Sequence, residues 1–290
     1  DKPTNLLYSI RKDWPLLTAI INKSLASQPQ EKKNRIFVRC FGFSPAEFDL
    51  SKGEERIPLT ALEQAWIKAH PEIRLGVDPK WQPMEFIDEK GKHQGISSDY
   101  VRILNRRLGL KMKIVPNLSW TQVMDAVPKR DVDVLPGVAT TPEREKHLNY
   151  SEPYIFIDWV IITRIDAPKI NSLADLVGRV TAVDEGYPSQ YRIEKQFPKI
   201  PLLLEPTTLD ALQSVIDGKA EAAVVELSAA TLIMHSYRIH SLKIDQHVFQ
   251  HNDPIAFAVR NDWPELVQIL NKGLASITHD ERETIEQKWL

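Results

Sequence analysis

The 290-residue sequence has a single cysteine, Cys40, so an internal disulfide and a cysteine-based metal cluster are both excluded. It has 11 glycines, and no Gly-x-Ser-x-Gly, His-Glu-x-x-His or phosphate-cradling glycine run. Its net charge of −2 provides no global basic field, which argues against nucleic acid or an anionic membrane surface as the main partner. Long apolar runs are missing too. The longest, Tyr154 to Ile162, is broken by Asp158 and is too short to span a bilayer. There is no initiator methionine and no signal-like leader, so the sequence reads as a piece of a longer chain. What remains is 42% apolar and 26% charged, the balance of a folded soluble protein with length for one bilobed unit or two domains.

A partial internal repeat organises the chain. Ser9 to Ser27 aligns without gaps on Ala258 to Ser276, with 11 of 19 positions identical, including Asp13-Trp14-Pro15 on Asp262-Trp263-Pro264. Each copy reads as a short strand, an Asp-Trp-Pro helix start and an amphipathic helix, as in Leu266, Ile269, Leu270 and Leu274. If the second copy closes a folded unit, the first closes an earlier one. Residues 1–40 are therefore expected to be the strand-plus-helix tail of a preceding similar domain, and 41–61 a linker.

Thr60 and Glu63 form a capping-box signature for a helix that ends at His70-Pro71. Beyond it, strands alternate with helices. Strands are expected over 73–77, 111–115 and 132–135, a hairpin-like return at 86–96, and helices over 99–108 and 120–127. A long strand at 159–163 leads into a second α/β set: strands at 179–183, 202–204 and 222–225 and helices at 190–197, 209–216 and 229–235. A return strand at 254–259 closes the pattern. Two crossovers between α/β lobes define a hinge with a cleft, a ligand-closure arrangement. Lobe 1 is expected over 62–160 and 256–290, and lobe 2 over 161–255.

The stretch Gly137 to Tyr154 is the chemical centre. Thr141-Pro142-Glu143 reads as a helix start, with a hydroxyl N-cap, a proline in the first turn and a carboxylate beside it. Arg144 opposes the helix dipole there, at a cost of up to about 1 kcal/mol. Two readings are open: an ion pair with Glu143 or Glu145 or a solvated Arg, and a guanidinium which, with free N–H groups, receives a carboxylate or phosphate. His247, His251 and Asp253 are spaced for a metal, but two loop histidines ahead of a return strand read as surface residues, and no metal or cofactor is expected.

These features together carry a family resemblance. The signs are Leu59 to Trp66 through His70-Pro71, Trp81-Gln82-Pro83 with Phe86, Gly91, Gly95 and Leu108-Gly109-Leu110. Further on come Trp120, Asp133, Thr141-Pro142-Glu143-Arg144, Ser151-Glu152-Pro153-Tyr154, Gly218 and Pro264-Glu265-Leu266. In this order, over about Leu62 to Leu290, the chain resembles the family 3 periplasmic solute-binding proteins. More closely it resembles the tandem Venus-flytrap sensor domains of BvgS-like histidine kinases and related diguanylate cyclases. The resemblance implies a bilobed α/β fold of the type II periplasmic-binding-protein kind with two crossover strands.

It also implies a site. Arg144 is expected to grip the carboxylate of an amino-acid-like ligand, with Gly137 and Ala139 lining that wall and Trp81 stacking on the ligand. Glu226, one residue past a strand end in lobe 2, is expected to pair with the ligand's ammonium; its plainer reading is a helix-start carboxylate. Ala139 removes a hydroxyl contact common in the family. Asp184 to Ser189 places two acids where the family has a small anion nest, and Tyr187 fills part of the cleft. The ligand is thus an amino acid or other small carboxylate, or a cationic amino acid, or the cleft is occluded and signals mechanically. The implied role is a periplasmic sensor domain with no enzymatic activity, next to another flytrap in a membrane-anchored parent able to dimerise. The alternatives are a free transport receptor for amino acids and, less favoured, a dehydratase-like cleft enzyme.

Overall fold

Thr60 opens the first helix of the computed structural model, which describes residues 56–290. Its side chain accepts the Glu63 amide while the Glu63 carboxylate takes the Thr60 N–H, so the capping box closes helix α1, Ala61–Ala69. The expected tail of a preceding domain and most of the linker lie outside the described residues. There follow β1 (Ile73–Leu75), β2 (Lys80–Trp81), β3 (Glu85–Ile87), β4 (His93–Gln94), α2 (Ile96–Leu108), β5 (Met112–Ile114) and α3 (Trp120–Lys129). Then come β6 (Val134–Ala139), α4 (Pro142–Glu145), β7 (Leu148–Tyr150) and β8 (Ile155–Arg164). The second half carries β9 (Thr181–Asp184), α5 (Pro188–Gln196), β10 (Leu202–Glu205), α6 (Thr208–Ile216), β11 (Ala222–Glu226) and α7 (Leu227–Ser236). The chain returns through β12 (Leu242–Arg260) and ends with α8 (Pro264–Ala275) and α9 (His279–Trp289).

One mixed sheet runs β10-β9-β11-β8-β12-β6-β1-β5, with β7 also on β12, and β2-β3-β4 form a small separate sheet. Strands β8 and β12 belong to both halves. Ile155 to Ile157 pair with Ile255 to Asp253 beside β6, whereas Trp159 to Arg164 pair with Val248 to Leu242 beside β11. The register breaks between Val248 and Asp253, and that irregularity is where the two crossover strands pass from one lobe to the other. Each lobe has its own core. Val123, Val127, Leu135, Val138 and Ala258 pack in one, and Val160, Ile162, Leu212, Val215 and Val225 in the other. Separate cores joined by two strands allow hinge motion without unpacking.

Several elements differ from the sequence expectation. Strand β6 does not stop at Leu135 but continues through Pro136 and Gly137 to Ala139, held antiparallel by Ile255 and Ala256. The return strand is 19 residues long and takes in His247 and Asp253, which the sequence places in a loop. Helix α2 begins at Ile96 rather than Asp99 because Gly95 turns the chain at φ 99°, ψ 178°, a region open almost only to glycine. A Cβ there would stand 2.6 Å from the Met84 carbonyl oxygen. Gly95→Ala is therefore expected to destabilise the domain by about 3 kcal/mol, combining strain with the clash. A thermal melt should show the loss as roughly 6–12 °C.

Helix α9 has little apolar periodicity, and Ile285 is its one buried residue. Polar bonds to α2 hold it instead. Buried Asp99 accepts from Lys288 and Trp289, and buried Arg107 donates to the Ser276 carbonyl and to Glu281. Among the described residues, no helix is long and apolar enough to cross a membrane.

Candidate functional site

Thr141 caps a helix of a single turn, its hydroxyl oxygen accepting the Arg144 amide at 3.4 Å. So short a helix has almost no macrodipole, and Arg144 is explained otherwise. Its side chain is buried at 4% exposure. One nitrogen donates to the Ala139 carbonyl at 2.8 Å in its own lobe, and the other reaches the Gly186 carbonyl of lobe 2 at 2.9 Å. The guanidinium also lies over the Trp120 ring, 5.5 Å from its centre. This rules out both the solvated arginine and the ion pair with Glu143 or Glu145. Burial pulls the Arg144 pKa down, with Tyr150, Tyr191, Tyr187 and Glu143 acting against that pull. The guanidinium nonetheless stays charged.

Around it lies a cavity lined by Trp81, Trp120, Gly137, Ala139, Arg144, Tyr187 and other side chains of both lobes. Five of the six expected residues thus meet at one place. Only about 20 Å³ is open there, room for about one water molecule. The space is taken by Tyr187. Its hydroxyl donates to Asp78 Oδ2 across the cleft, and its ring meets Trp81 and Trp120 edge-on at 5.8 and 6.2 Å. Gly186, at φ 76°, lets the loop turn so that its backbone comes up against the Trp120 ring.

Glu226 is placed differently. It is 2% exposed and caps α7: one oxygen accepts from the Ser228 amide, the other from the Ala229 amide, and the Ser228 hydroxyl adds to both. The plainer reading of that residue holds, and the carboxylate neither pairs with Arg144 nor lines the cavity. Burial raises its pKa against these bonds. The Trp81 indole lies near enough to favour the charged form, without a hydrogen bond of ordinary geometry between them.

Sequence reasoning passed over Asp78, Trp159 and the role of Asp184. Asp78 lies three residues past the carboxyl end of β1 and Glu226 is the last residue of β11, so a search for acids at the strand ends of both lobes would have found it. Its Oδ1 accepts the Lys80 amide, leaving the other oxygen for Tyr187. Burial raises Asp78 to about 7 and Asp184 to about 8. Asp253 is no metal ligand: it accepts the Trp159 indole at 2.9 Å and the Arg192 guanidinium at 2.6 Å. His247 sits in β12 beside Asp158, and among the described residues no cluster could hold a metal ion.

Known proteins fit this geometry. The crystal structure of a double mutant of the Bordetella pertussis BvgS VFT2 domain superposes with a TM-score of 0.71 at 26% identity, covering 80% of this chain and 99% of that one. A histidine kinase sensor domain with similarity to periplasmic binding proteins gives 0.70 at 28% identity, over 77% of this chain and 97% of the other. In sequence, the chain is 25% identical over 97% of its length to the virulence sensor protein BvgS of Bordetella bronchiseptica, spanning 22% of that protein. It thus covers about a fifth of the sensor proteins it matches. It is also 23% identical, over 76% of its length, to 91% of the ABC transporter arginine-binding protein 1 of Escherichia coli K12. The fold is that of the bilobed Venus flytrap. With residues 73–290 matching the family directly, the chain belongs to the bacterial extracellular solute-binding proteins, family 3.

Proposed function

We propose that this chain is a non-enzymatic, extracytoplasmic sensor domain whose interlobe cleft binds a small amino-acid-like or carboxylate solute. Closure would then be passed to a signalling output elsewhere in a longer, membrane-anchored protein. The observation that carries the ligand class is a set of unpartnered buried donors on the cavity wall: Trp81 Nε1, Trp120 Nε1 and Arg144 Nε. Buried polar groups rarely go without a partner, and two indole donors beside the guanidinium's own free Nε–H suit a carboxylate. Asp78 and Asp184 nearby supply acceptors for an amine, which favours amino acids over simple dicarboxylates. The arginine-binding relative is consistent with a ligand carrying a second cation.

The sensor reading is preferred to a free transport receptor because the alignment with BvgS takes in 97% of the chain, and that with the transport protein 76%. A neighbouring flytrap on the N-terminal side, and a dimeric parent, belong to the same proposal.

Isothermal calorimetry with a panel of amino and dicarboxylic acids tests it. Wild type should bind at least one, and Arg144→Ala should lose at least 10- to 100-fold in affinity, as expected for a charge-assisted bond of about 1.5–3 kcal/mol. Equal binding by Arg144→Ala would remove Arg144 from the site.

A further inference from the structure

The closed cleft buries more acid than it neutralises. Asp78, in the loop after β1, and Asp184, at the end of β9, come from different lobes and are 4% and 1% exposed. Around Asp78 stand Glu85 from β3, Lys80 from β2, and Tyr187 and Asp184 from lobe 2. Around Asp184 stand Asp78, Glu226 from β11 and Asp210 from α6. Glu85 and Glu226 have their donors: the Asp78 amide and Ser97 hydroxyl for the first, with His93 at 3.5 Å, and the α7 cap for the second. Asp184 does not. One oxygen accepts from Thr208 at 3.1 Å, and the other is buried with no partner. The available cations do not answer it, because Lys80 is exposed and Arg144 is turned to two carbonyl oxygens.

We propose that closing the cleft takes up protons at Asp78 and Asp184, so that the domain is a clamp closed by acid and loosened by alkali. A buried carboxylate without a counter-charge is neutralised rather than left ionised. In an open cleft both acids face water and titrate near the usual value of about 4. In the closed cleft burial moves Asp78 to about 7 and Asp184 to about 8. The sign follows from linkage. Because the closed-state values are raised, the contribution to closure is complete below about pH 4 and is lost as pH rises through 7 to 8. Across the intervening range each proton taken up shifts the closed-to-open ratio by up to about tenfold per pH unit.

The inference rests on the reading of the cleft as the closing element, and its test uses no ligand. Spin labels on Lys111→Cys in lobe 1 and Lys199→Cys in lobe 2, in a Cys40→Ser background, report the separation of the lobes. The unliganded full chain should show the short distance at pH 5.5 and a growing long-distance population up to pH 8.5. Asp184→Asn, neutral at every pH, should keep the short distance at pH 8.5 and flatten the response. Asp78→Asn should do the same in part, and circular dichroism confirms that each variant is folded. A distance distribution unchanged from pH 5.5 to 8.5 in wild type overturns the proposal, as does a folded Asp184→Asn that tracks wild type. A pH response together with no calorimetric binding of any solute would refute the ligand and spare this proposal; Arg144-dependent binding without a pH response would do the reverse.

Discussion

Tyr187→Ala is expected to raise the affinity of the cleft for its solute by about 30- to 100-fold. The tyrosine fills the cavity in which the solute is proposed to bind. Its hydroxyl bond to Asp78 contributes about 0.5–3 kcal/mol, according to whether the acid is neutral or ionised, and each aromatic edge about 0.5–1.5 kcal/mol. Because the ring is partly exposed, we take roughly 2–3 kcal/mol for the latch as a whole, which leaves on the order of 1–3% of molecules open. A solute that can enter only when Tyr187 has left the cavity, before the lobes close on it, sees its affinity reduced by that fraction, and removing the latch removes the reduction. Tyr187→Phe keeps both edges and loses the hydroxyl, so an intermediate gain of about tenfold is expected. Calorimetric titration decides it: affinities of Tyr187→Ala and wild type within a factor of three would contradict the latch.

The largest loss of stability is expected from Trp159→Ala. Trp159 is 1% exposed, lies where β8 crosses between lobes, and faces Glu226 on one side and Val248 on the other in the sheet register. Truncating a buried tryptophan costs about 3–5 kcal/mol. The change also takes one of two donors from Asp253, leaving Arg192. For a unit of this size that is a fall in Tm of roughly 6–20 °C. Trp159→Phe restores most of the packing and should cost only about 1–2 kcal/mol. A Trp159→Ala melt within about 2 °C of wild type would mean that the crossover is not held in this way.

Much of the architecture is legible where local chemistry decides the outcome. Thr60 with Glu63 and Thr141-Pro142 each mark a helix start that the structure contains. Arg144, Trp81, Gly137, Ala139 and Tyr187 are legible as a cluster from the family pattern. Where tertiary pairing overrides local preference, the sequence misleads. Pro136 and Gly137 argue against a strand, yet β6 carries them because β12 pairs along it and the Tyr154 hydroxyl takes up the Pro136 carbonyl. Strand β12 hides its length because its environment changes as it passes from one lobe to the other, so no single alternation runs through it.

The two strand-end acids show the limit most clearly. Glu226 ends β11 and Asp78 lies in the loop after β1, and both accept an amide two residues on. Glu226 also receives the Ala229 amide and the Ser228 hydroxyl, so it is spent on its own helix, whereas Asp78 keeps an oxygen for the opposite lobe. Nothing in residue type or spacing distinguishes them before the lobes are brought together.

The account stands or falls on whether Tyr187 holds the cleft shut. The direct measurement is the distance between spin labels on Lys111→Cys and Lys199→Cys at pH 7, without solute, in wild type and in Tyr187→Ala. Wild type should give one short, narrow distribution, and Tyr187→Ala a longer one that returns to the short distance when the solute is added. Coincident distributions in the two proteins would contradict it.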